Sequence, residues 1–252
     1  MIRSRMRNIS LSVFMPCYNE EANVERTTLA ALDALRAFCD DFELIIVNDG
    51  STDQTGTIAE RLAAEHPEVR VVHNPVNRGY GGALRAGFAA TRKEWVFYTD
   101  GDGQFDCREI FKLLPALNHF DLVSAYRLDR KDSWVRRFNG RAWTWLCNLI
   151  LGLRLRDVDC AFKLLPRRLL EQIELRSEGA LIDAELLGKA AGLGYRIGQV
   201  GVHHYPRLAG SPTGGRLRVI TKAFWELVKL RREIRAATPP PGPGVGKSKV
   251  VC

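Results

Sequence analysis

The chain has 252 residues, of which 46% are hydrophobic, and a formal net charge of +8 at pH 7. This size and apolar content favour one large α/β domain over two small ones, and the basic excess indicates an anionic partner: nucleic acid, a phosphorylated small molecule or an anionic membrane face. The six cysteines form no C-x-x-C pair, which argues against a zinc site or a disulfide framework and favours reduced thiols in the cytosol.

Residues 1–9 are a basic extension without the apolar stretch of a secretory signal. The next ninety residues alternate between strand and helix patterns. The predicted strands are apolar runs at 10–16, 42–49, 68–74 and 94–100. The predicted helices carry apolar residues at helical spacing or follow capping residues and a glycine-rich turn, at 20–39, 51–66 and 78–91. Such alternation predicts a parallel sheet wrapped by helices.

The pattern loosens in the second half of the chain. Helices are predicted at 108–118, 134–153, 181–194 and 216–235, and strands at 120–127 and 195–205. The tail 236–252 is rich in proline and glycine and is predicted to be disordered. No window has the roughly 18 consecutive apolar residues of a membrane span.

Polar clusters follow all four strands of the first half: "CYNE", "NDGSTD", "HNPVNRG" and "TDGDGQ". Ligands of open α/β sheets bind outside the carboxyl ends of the strands. The sequence therefore predicts a functional site along this one edge.

The last of these clusters has the chemistry of a metal site. Asp100 and Asp102 are two residues apart at a strand end, so both side chains can face one point. Hard oxygen ligands suit Mg²⁺ or Mn²⁺. The alternative is a solvated acidic turn. A calcium loop of the EF-hand type fits poorly, because its glycine and glutamate positions fall on Phe105 and Phe111. The strand context favours the metal.

Two acidic residues at the second strand end admit two interpretations. Asp49 and Asp53 can accept hydrogen bonds from a ribose hydroxyl or a base N–H. In the alternative, Ser51 or Asp53 caps the following helix and Gly50 makes the turn. Capping explains Asp53 well but leaves Asp49 unexplained. We therefore expect both interpretations to hold at once, with Asp49 and Asp53 in the nucleotide site.

The glycines of "NRGYGGALRAG" resemble a phosphate loop but match neither G-x-G-x-x-G nor a Walker pattern. Gly79, Gly81 and Gly82 equally suit a tight turn with close helix packing. The tail segment "GPGVGKS" fails the Walker spacing, because Pro241 takes the place of the first glycine.

Adjacent residues on a strand point to opposite faces, so His203 and His204 are not expected to chelate one ion together. One histidine should be packed and the other should lie near the site. Arg207 is the better candidate for binding a phosphate through bidentate hydrogen bonds, and Arg127, at the end of the fifth strand, is another.

The motifs "FMPCYNEEANV", "VNDGSTDQT", "NRGYGGALRAG" and "YTDGDGQFD" occur in this order, followed by "SAYR", "DVDCAFKLLPR", "DAELLGKAAGLG" and "HHYPRLAGS". Together they resemble family 2 of the GT-A glycosyltransferases, especially the dolichyl- and polyprenyl-phosphate hexosyltransferase branch. The resemblance covers 10–215 and implies a single GT-A domain, with a Rossmann-like, mostly parallel sheet flanked by helices. A basic amphipathic helix follows at 216–235.

The resemblance also implies roles for single residues. The nucleotide pocket would be lined by Pro16, Tyr18, Glu20 and Asp49. The divalent metal, Mg²⁺ or Mn²⁺, would be held against the donor diphosphate by Asp100, Asp102 and Gln104. The acceptor phosphate would face Arg127 and Arg207. The sugar and acceptor would lie near Asp159 and near Asp183 or Glu185.

Two departures from the family pattern matter. The family commonly writes the middle motif as D-x-x-S/C-G-F-[KR], and Ala161 stands here in place of the glycine. Many members also carry C-terminal membrane helices, which are not found in this sequence. A cytoplasmic protein is expected, with attachment to the cytoplasmic membrane face by another route or through a partner.

The implied reaction moves a hexose, with inversion, from a nucleotide sugar of the GDP-mannose or UDP-glucose type. A polyprenyl phosphate acceptor has a second pKa near that of phosphoserine, about 6, and needs no strong base. A hydroxyl acceptor would need a general base, Asp183 or Glu185. The alternatives from other classes are a nucleotidyltransferase and a basic nucleic-acid-binding protein, and nucleic acid is not the expected partner.

The helix 216–235 has basic residues flanking an apolar stripe. It would lie on an anionic leaflet, with each charge near the surface adding roughly 1 kcal/mol, or pack its stripe on the core with a solvated basic face. The segment 134–153 poses the same choice.

Overall fold

The computed structural model describes residues 9–129, 134–207 and 218–237. Its strands are β1 Ser10–Cys17, β2 Asp41–Asp49, β3 Val69–Asn74, β4 Trp95–Thr99, β5 Leu122–Arg127, β6 Phe162–Pro166 and β7 Ile197–Val202. Its α-helices are α1 Val24–Arg36, α2 Thr55–Glu65, α3 Gly79–Ala90, α4 Ile110–Leu113, α5 Trp134–Leu151, α6 Arg167–Gln172, α7 Leu181–Gly192 and α8 Arg218–Ala237. Short 3₁₀ turns at Cys107–Glu109 and Leu114–Asn118 flank α4.

All seven strands form one sheet in the order β3-β2-β1-β4-β6-β5-β7. The first four strands are parallel to one another, which confirms the prediction from the alternating pattern. β6 runs antiparallel to both of its neighbours, and β7 is parallel to β5. The carboxyl ends of β1, β2, β3 and β4 therefore share one edge.

The central strands carry apolar side chains on both faces of the sheet, as the continuous apolar run of β2 requires. Leu44 and Ile46 pack with α1 and α2 on one face. Ile45 and Val47 pack with α3, α5, α7 and α8 on the other. Two buried layers thus fix the sheet between helices.

Several predicted elements differ in extent. The helix predicted at 20–39 begins only at Val24, because the amides of Asn23 and Val24 both donate to the carbonyl of Glu20 in a turn. The segment predicted as one helix at 108–118 is broken into 3₁₀ and α turns, since Pro115 lacks an N–H and restricts the residue before it.

Two elements, β6 and α6, were not predicted. β6 is only five residues long, and all five are buried, so it has no alternation of apolar and polar residues. The strand predicted at 195–205 is shorter and ends at Val202.

The predicted disordered tail lies, from residue 238, outside the described residues, as do residues 1–8. α8 ends at Ala237, two residues beyond the predicted boundary. Among the helices within the described ranges, none is long and apolar enough to cross a membrane.

Candidate active site

The loops after β1 and β2 are tied together at the carboxyl edge of the sheet. Asn19 adopts a left-handed conformation, with φ of 54°, and its side-chain oxygen accepts from the amide of Thr52 at 2.9 Å. The amide of Glu20 donates to Oγ1 of Thr55 at 2.8 Å. Tyr18, in the same turn, is exposed, and Pro16 is half-buried. Two of the predicted nucleotide motifs are therefore adjacent.

Asp53 braces this junction. Its Oδ2 accepts from the amide of Glu21 at 3.1 Å, and its Oδ1 accepts from the amide and hydroxyl of Thr55. Partial burial opposes its ionisation, but the hydrogen bonds outweigh burial and lower its pKa. The N-cap residue of α2 is Gln54 and not Ser51 or Asp53, but Asp53 still binds the amide of Thr55, the first residue of the helix. A role of Asp53 at the nucleotide stays a prediction.

Asp49 is buried and holds the loop between β3 and α3. Its Oδ1 accepts from Nδ2 of Asn74 at 2.7 Å and from the amide of Arg78 at 3.0 Å. Gly50 has a φ of +65°, and a Cβ there would lie 2.4 Å from the amide nitrogen of Asn77. Bracing of this loop accounts for the carboxylate that capping left unexplained.

The glycine-rich helix start packs closely on another loop. The amide of Gly81 donates to the carbonyl of Glu178 at 2.8 Å, and a Cβ on Gly81 would lie 2.3 Å from the carbonyl oxygen of Ser177. Close packing explains this glycine without a phosphate.

The D-x-D turn lies against the end of β1. The amide of Gly101 donates to the carbonyl of Pro16 at 3.3 Å, and its own carbonyl accepts from Oγ1 of Thr27 at 3.1 Å. A Cβ on Gly101 would lie 2.4 Å from Sγ of Cys17. A side chain in the middle of D-x-D would push the turn away from the first motif.

The segment after β7 completes this corner of the site. Nε2 of Gln104 donates to the carbonyl of Tyr205 at 3.1 Å, and the amide of Tyr205 donates back to the carbonyl of Gln104 at 2.9 Å. Arg207 forms an ion pair with Glu20, and its Nη1 lies 3.8 Å from Oδ2 of Asp102. One arginine therefore joins the first motif to the D-x-D turn.

The carboxylates here crowd one another. Burial, followed by the neighbouring Asp102 and Asp183, raises the pKa of Asp100 well above its usual range. Burial also raises the pKa of Asp102, against the opposing effects of the Gln104 amide and of Arg207. Burial raises the pKa of Glu20 as well. Burial therefore disfavours the ionised form of all three carboxyl groups, and a bound cation would offset that cost.

The donor chemistry at the turn fits a hard divalent cation. Two carboxylates and the amide oxygen of Gln104 offer oxygen ligands, and Mg²⁺ completes its shell with water and substrate phosphates. Within the described parts of the chain, no group of three or more His, Cys, Asp or Glu is placed to hold a metal by itself. Asp100, Asp102 and Gln104 thus remain the predicted ligands, and they need the donor diphosphate to complete the set.

Asp183 is buried in the first turn of α7. Its Oδ1 accepts from the hydroxyl of Tyr98 at 2.5 Å and from Nζ of Lys163 at 2.6 Å. Its charge contributes to the raised pKa of Asp100. The position of Asp183 near the sugar stays a prediction.

Glu185 binds a different set of partners. Its carboxylate accepts from the amides of Arg176 and Ser177 at 3.0 and 2.8 Å and pairs with Lys189 at 2.6 Å. Burial opposes ionisation, but these contacts prevail and lower its pKa. The described contacts make Glu185 an anchor for the loop that packs on α3.

Asp159 is half-buried and accepts from Nε1 of Trp143 at 3.0 Å. Burial, with Asp183 and Asp157 adding repulsion, raises its pKa to about 7, against the opposing effects of Lys163 and Arg127.

This shift predicts a pH dependence of stability. The usual pKa of an aspartate is about 4. Between about pH 4 and pH 7, Asp159 is therefore protonated in the folded protein and ionised in the unfolded chain. The free energy of unfolding of metal-free protein should therefore fall as pH rises through this window. Asp159→Asn should flatten part of the slope in urea titrations between pH 4 and 8, whereas the exposed Asp33→Asn should not. An unchanged slope in Asp159→Asn would contradict the assignment.

Arg127, the second predicted phosphate ligand, is engaged by Asp157, with contacts of 2.6 and 2.8 Å to its two oxygens. The pair borders a pocket of about 200 Å³, whose lining also includes three further arginines: Arg137, Arg141 and Arg156. The pocket thus carries four guanidinium groups and one carboxylate.

The two histidines occupy different environments, and the prediction that one of them is packed is confirmed, while a place near the site for the other stays a prediction. His204 is buried, with its ring 5.2 Å from that of Phe105. His203 is exposed, and its Nδ1 lies 2.7 Å from Oε1 of Glu109.

Sequence reasoning missed several residues near the carboxylates. Tyr80 is one, because burial and the nearby Asp100 and Asp183 raise its pKa well above the usual value. Lys163 is another, since it lies in the strand that was not predicted. Arg137 and Arg141 could have been found from the sequence, because they are four residues apart on a helix that contains no acidic residue and therefore share one basic face.

The seven-stranded sheet has the GT-A fold that the sequence predicted. The chain belongs to glycosyl transferase family 2, whose model matches residues 12–174.

Two relatives show the same likeness. The chain is 32% identical over 209 residues to glycosyltransferase AglD of Haloferax volcanii, an alignment that covers 79% of this chain and 34% of that protein. It is 30% identical over 221 residues to an undecaprenyl-phosphate 4-deoxy-4-formamido-L-arabinose transferase of Shewanella sediminis, covering 85% and 64%. The chain therefore spans about a third and just under two thirds of these two relatives.

A solved structure confirms the fold. Glucosyl-3-phosphoglycerate synthase from Mycobacterium tuberculosis, in complex with Mn²⁺, uridine diphosphate and glucosyl-3-phosphoglycerate, matches with a TM-score of 0.66 and 23% identity. The match covers 98% of this chain and 86% of that one.

Proposed function

We propose that this protein transfers a hexose, with inversion, from a nucleotide sugar to a polyprenyl phosphate. The observation that carries this proposal is the packing of the D-x-D turn against the end of β1, with Arg207 joining Glu20 to Asp102. Nucleotide motif and metal motif thereby meet at one place. The relative that acts on undecaprenyl phosphate supports the acceptor class.

A divalent metal, Mg²⁺ or Mn²⁺, would be held by Asp100, Asp102 and Gln104. When bound, it neutralises charge that develops on the departing nucleoside diphosphate. The protein's own part would be to hold both carboxylates near one point, and the contacts of Gly101 and of the Gln104 amide, which fix the turn, support this role.

The acceptor phosphate would bind in the arginine-lined pocket beside Arg127. Asp157 occupies two of the five N–H donors of Arg127, so the remaining donors of Arg127 and the exposed Arg137 and Arg141 would be available to an anion. Arg156 also lines the pocket, with its Nη1 donating to the hydroxyl of Tyr126 at 2.8 Å. Such a concentration of guanidinium groups suits the geometry of phosphate. Arg207, which lies between Glu20 and Asp102, would face the donor diphosphate and not the acceptor phosphate that the sequence predicts for it.

The chemistry at the acceptor needs little base strength, because a phosphate monoester is largely ionised at neutral pH. If a base acts, Asp183 suits the role better than Glu185, whose carboxylate is occupied by the loop at 176–177 and by Lys189. Glu185→Gln should therefore change stability more than it changes proton transfer.

A donor screen tests the proposal. Thermal shift with UDP- and GDP-sugars plus Mn²⁺ should identify a stabilising donor, and that donor with a polyprenyl phosphate should release nucleoside diphosphate. If nucleoside diphosphate is released only when a saccharide with a free hydroxyl is supplied, and not with the lipid phosphate, the acceptor is a hydroxyl group. Release of pyrophosphate from a nucleoside triphosphate would indicate a nucleotidyltransferase instead.

Contact with an anionic membrane is the second part of the proposal. α5 exposes large apolar side chains at spacings of four, seven and four residues, which place them on one helical face: Trp134, Phe138, Trp145 and Leu149. The opposite face packs Cys147 into the core. The helix contains three arginines and no acidic residue, the composition of a helix that lies in an interface.

Flotation with vesicles tests this contact. The intact chain should bind vesicles that contain anionic lipid and bind neutral vesicles weakly. Trp134→Ala with Trp145→Ala should lower binding at least about tenfold, because each tryptophan would lose about 150–250 Å² of buried area. Val76→Ala, which truncates an exposed apolar residue elsewhere, is the control. Equal binding by the double variant would exclude α5 as the contact.

A further inference from the structure

Lys163 is a fully buried cation at the centre of the sheet. It lies in β6 opposite Tyr98 of β4 and Ser124 of β5, and its side chain has 0% exposure. An ammonium in such a place is costly unless its three donors are satisfied. They are: Nζ lies 2.6 Å from Oδ1 of Asp183, 2.6 Å from the carbonyl of Cys160 and 3.0 Å from that of Val158.

These three acceptors belong to two separate pieces of the site. The carbonyls of Val158 and Cys160 stand on either side of Asp159, and Asp183 belongs to α7. A single ammonium therefore ties the turn that carries one carboxylate to the helix that carries the other. Tyr98 donates to the same Oδ1 from β4, the strand that leads into the D-x-D turn.

We infer that Lys163 is a positioning residue for glycosyl transfer, which sets the Asp159 turn and the Asp183 carboxylate in one geometry around the donor sugar. This inference rests on the proposed function and extends it to a residue that touches no substrate. Its contacts support this: among the described residues, the side-chain oxygen that Lys163 contacts is Oδ1 of Asp183, and its other two acceptors are the carbonyls on either side of Asp159.

Comparing substitutions of Lys163 and Lys189 distinguishes a positioning role from a general contribution to stability. Lys189 also pairs with a buried carboxylate on α7, Glu185, at the same 2.6 Å, but on the side that faces the loop at 174–177. Lys163→Met should lower kcat for nucleoside diphosphate release roughly tenfold or more, since small displacements of reacting groups are expensive. KM for the donor, and the affinity for UDP with Mn²⁺, should change less than about threefold.

Lys189→Met should lower the thermal midpoint without this loss of kcat. Lys163→Arg should recover most of the activity, since it restores the cation. The double variant Lys163→Met with Asp183→Asn should have a kcat within about threefold of that of the slower single variant, because the two residues act as a unit.

Crystal structures make the test independent of activity. In Lys163→Met, the turn at 158–160 should move by more than about 0.5 Å relative to the D-x-D turn, the tolerance of a preorganised site. Should that variant fail to fold, Lys163→Met with Asp183→Asn leaves no uncompensated charge and should show the same displacement. An unmoved turn, or a kcat within about twofold of wild type, overturns the inference. If wild-type protein releases no nucleoside diphosphate, the proposed function fails, and the displacement alone decides the role of Lys163.

Discussion

Asp102→Asn is expected to lower kcat/KM for nucleotide-sugar turnover about 1000-fold, because it removes a metal ligand beside the departing diphosphate. The fold should survive, since an asparagine oxygen can still accept from the amide of Gln104, as Oδ1 of Asp102 does at 3.0 Å. Stability should hold or rise, because the raised pKa of Asp102 shows that its ionised form is disfavoured in the ligand-free protein. Lost turnover with an unchanged or higher Tm is the signature of a functional carboxylate.

The measurements are nucleoside diphosphate release at saturating Mn²⁺ and calorimetric titration of Mn²⁺ in the presence of UDP. Asp106→Asn is the matched control. Asp106 follows the same turn, but its Oδ1 accepts from the amide of Arg108 at the start of a 3₁₀ turn. Asp106→Asn should keep turnover within about threefold. Should Asp102→Asn do the same, the D-x-D turn would not be the metal site.

Arg137→Ala combined with Arg141→Ala is expected to raise KM for the lipid phosphate about 100-fold. Each charge-assisted contact to a phosphate contributes about 1.5–3 kcal/mol, and two such contacts at the low end correspond to roughly that factor. Both side chains are exposed and line the pocket beside Arg127, so their removal should leave the core intact. Arg127 itself is a poor test residue, because its loss would leave the buried Asp157 without its bidentate partner.

The assay uses a short-chain polyprenyl phosphate in detergent at saturating donor. Arg232→Ala with Arg235→Ala lowers the net charge equally on another helix, α8, and controls for general attraction of an anionic acceptor. The affinity for UDP with Mn²⁺ should be the same in both double variants. A KM that rises equally in both would show that total charge, and not this pocket, recruits the acceptor.

Local signals were sufficient for the first half of the chain. The apolar run of β2 and the helical spacing of α1 are properties of consecutive residues, so strand, helix and the shared carboxyl edge could all be inferred before any contact was known. The D-x-D pair was visible for the same reason. β6 escaped because its five residues are buried on both faces by elements that lie far apart in the sequence.

Partnerships across the fold were beyond local signals. Glu185 and Asp183 are two residues apart, and nothing in their spacing separates an anchor of the 176–177 loop from a carboxylate that faces the site. Asp49 likewise had no visible partner until the loop after β3 was seen to donate to it. Each side chain's role depends on what packs around it.

The sequence by itself determined the family, the alternation of strands and helices and the edge where polar residues collect, because these follow from motifs and periodicities along the chain. Only the tertiary structure decided that Lys163 joins two carboxylate-bearing elements and that four arginines line one pocket. Those arrangements depend on the antiparallel insertion of β6 and on the pocket that α5 and the end of β5 line together, and both bring distant segments of the chain into contact.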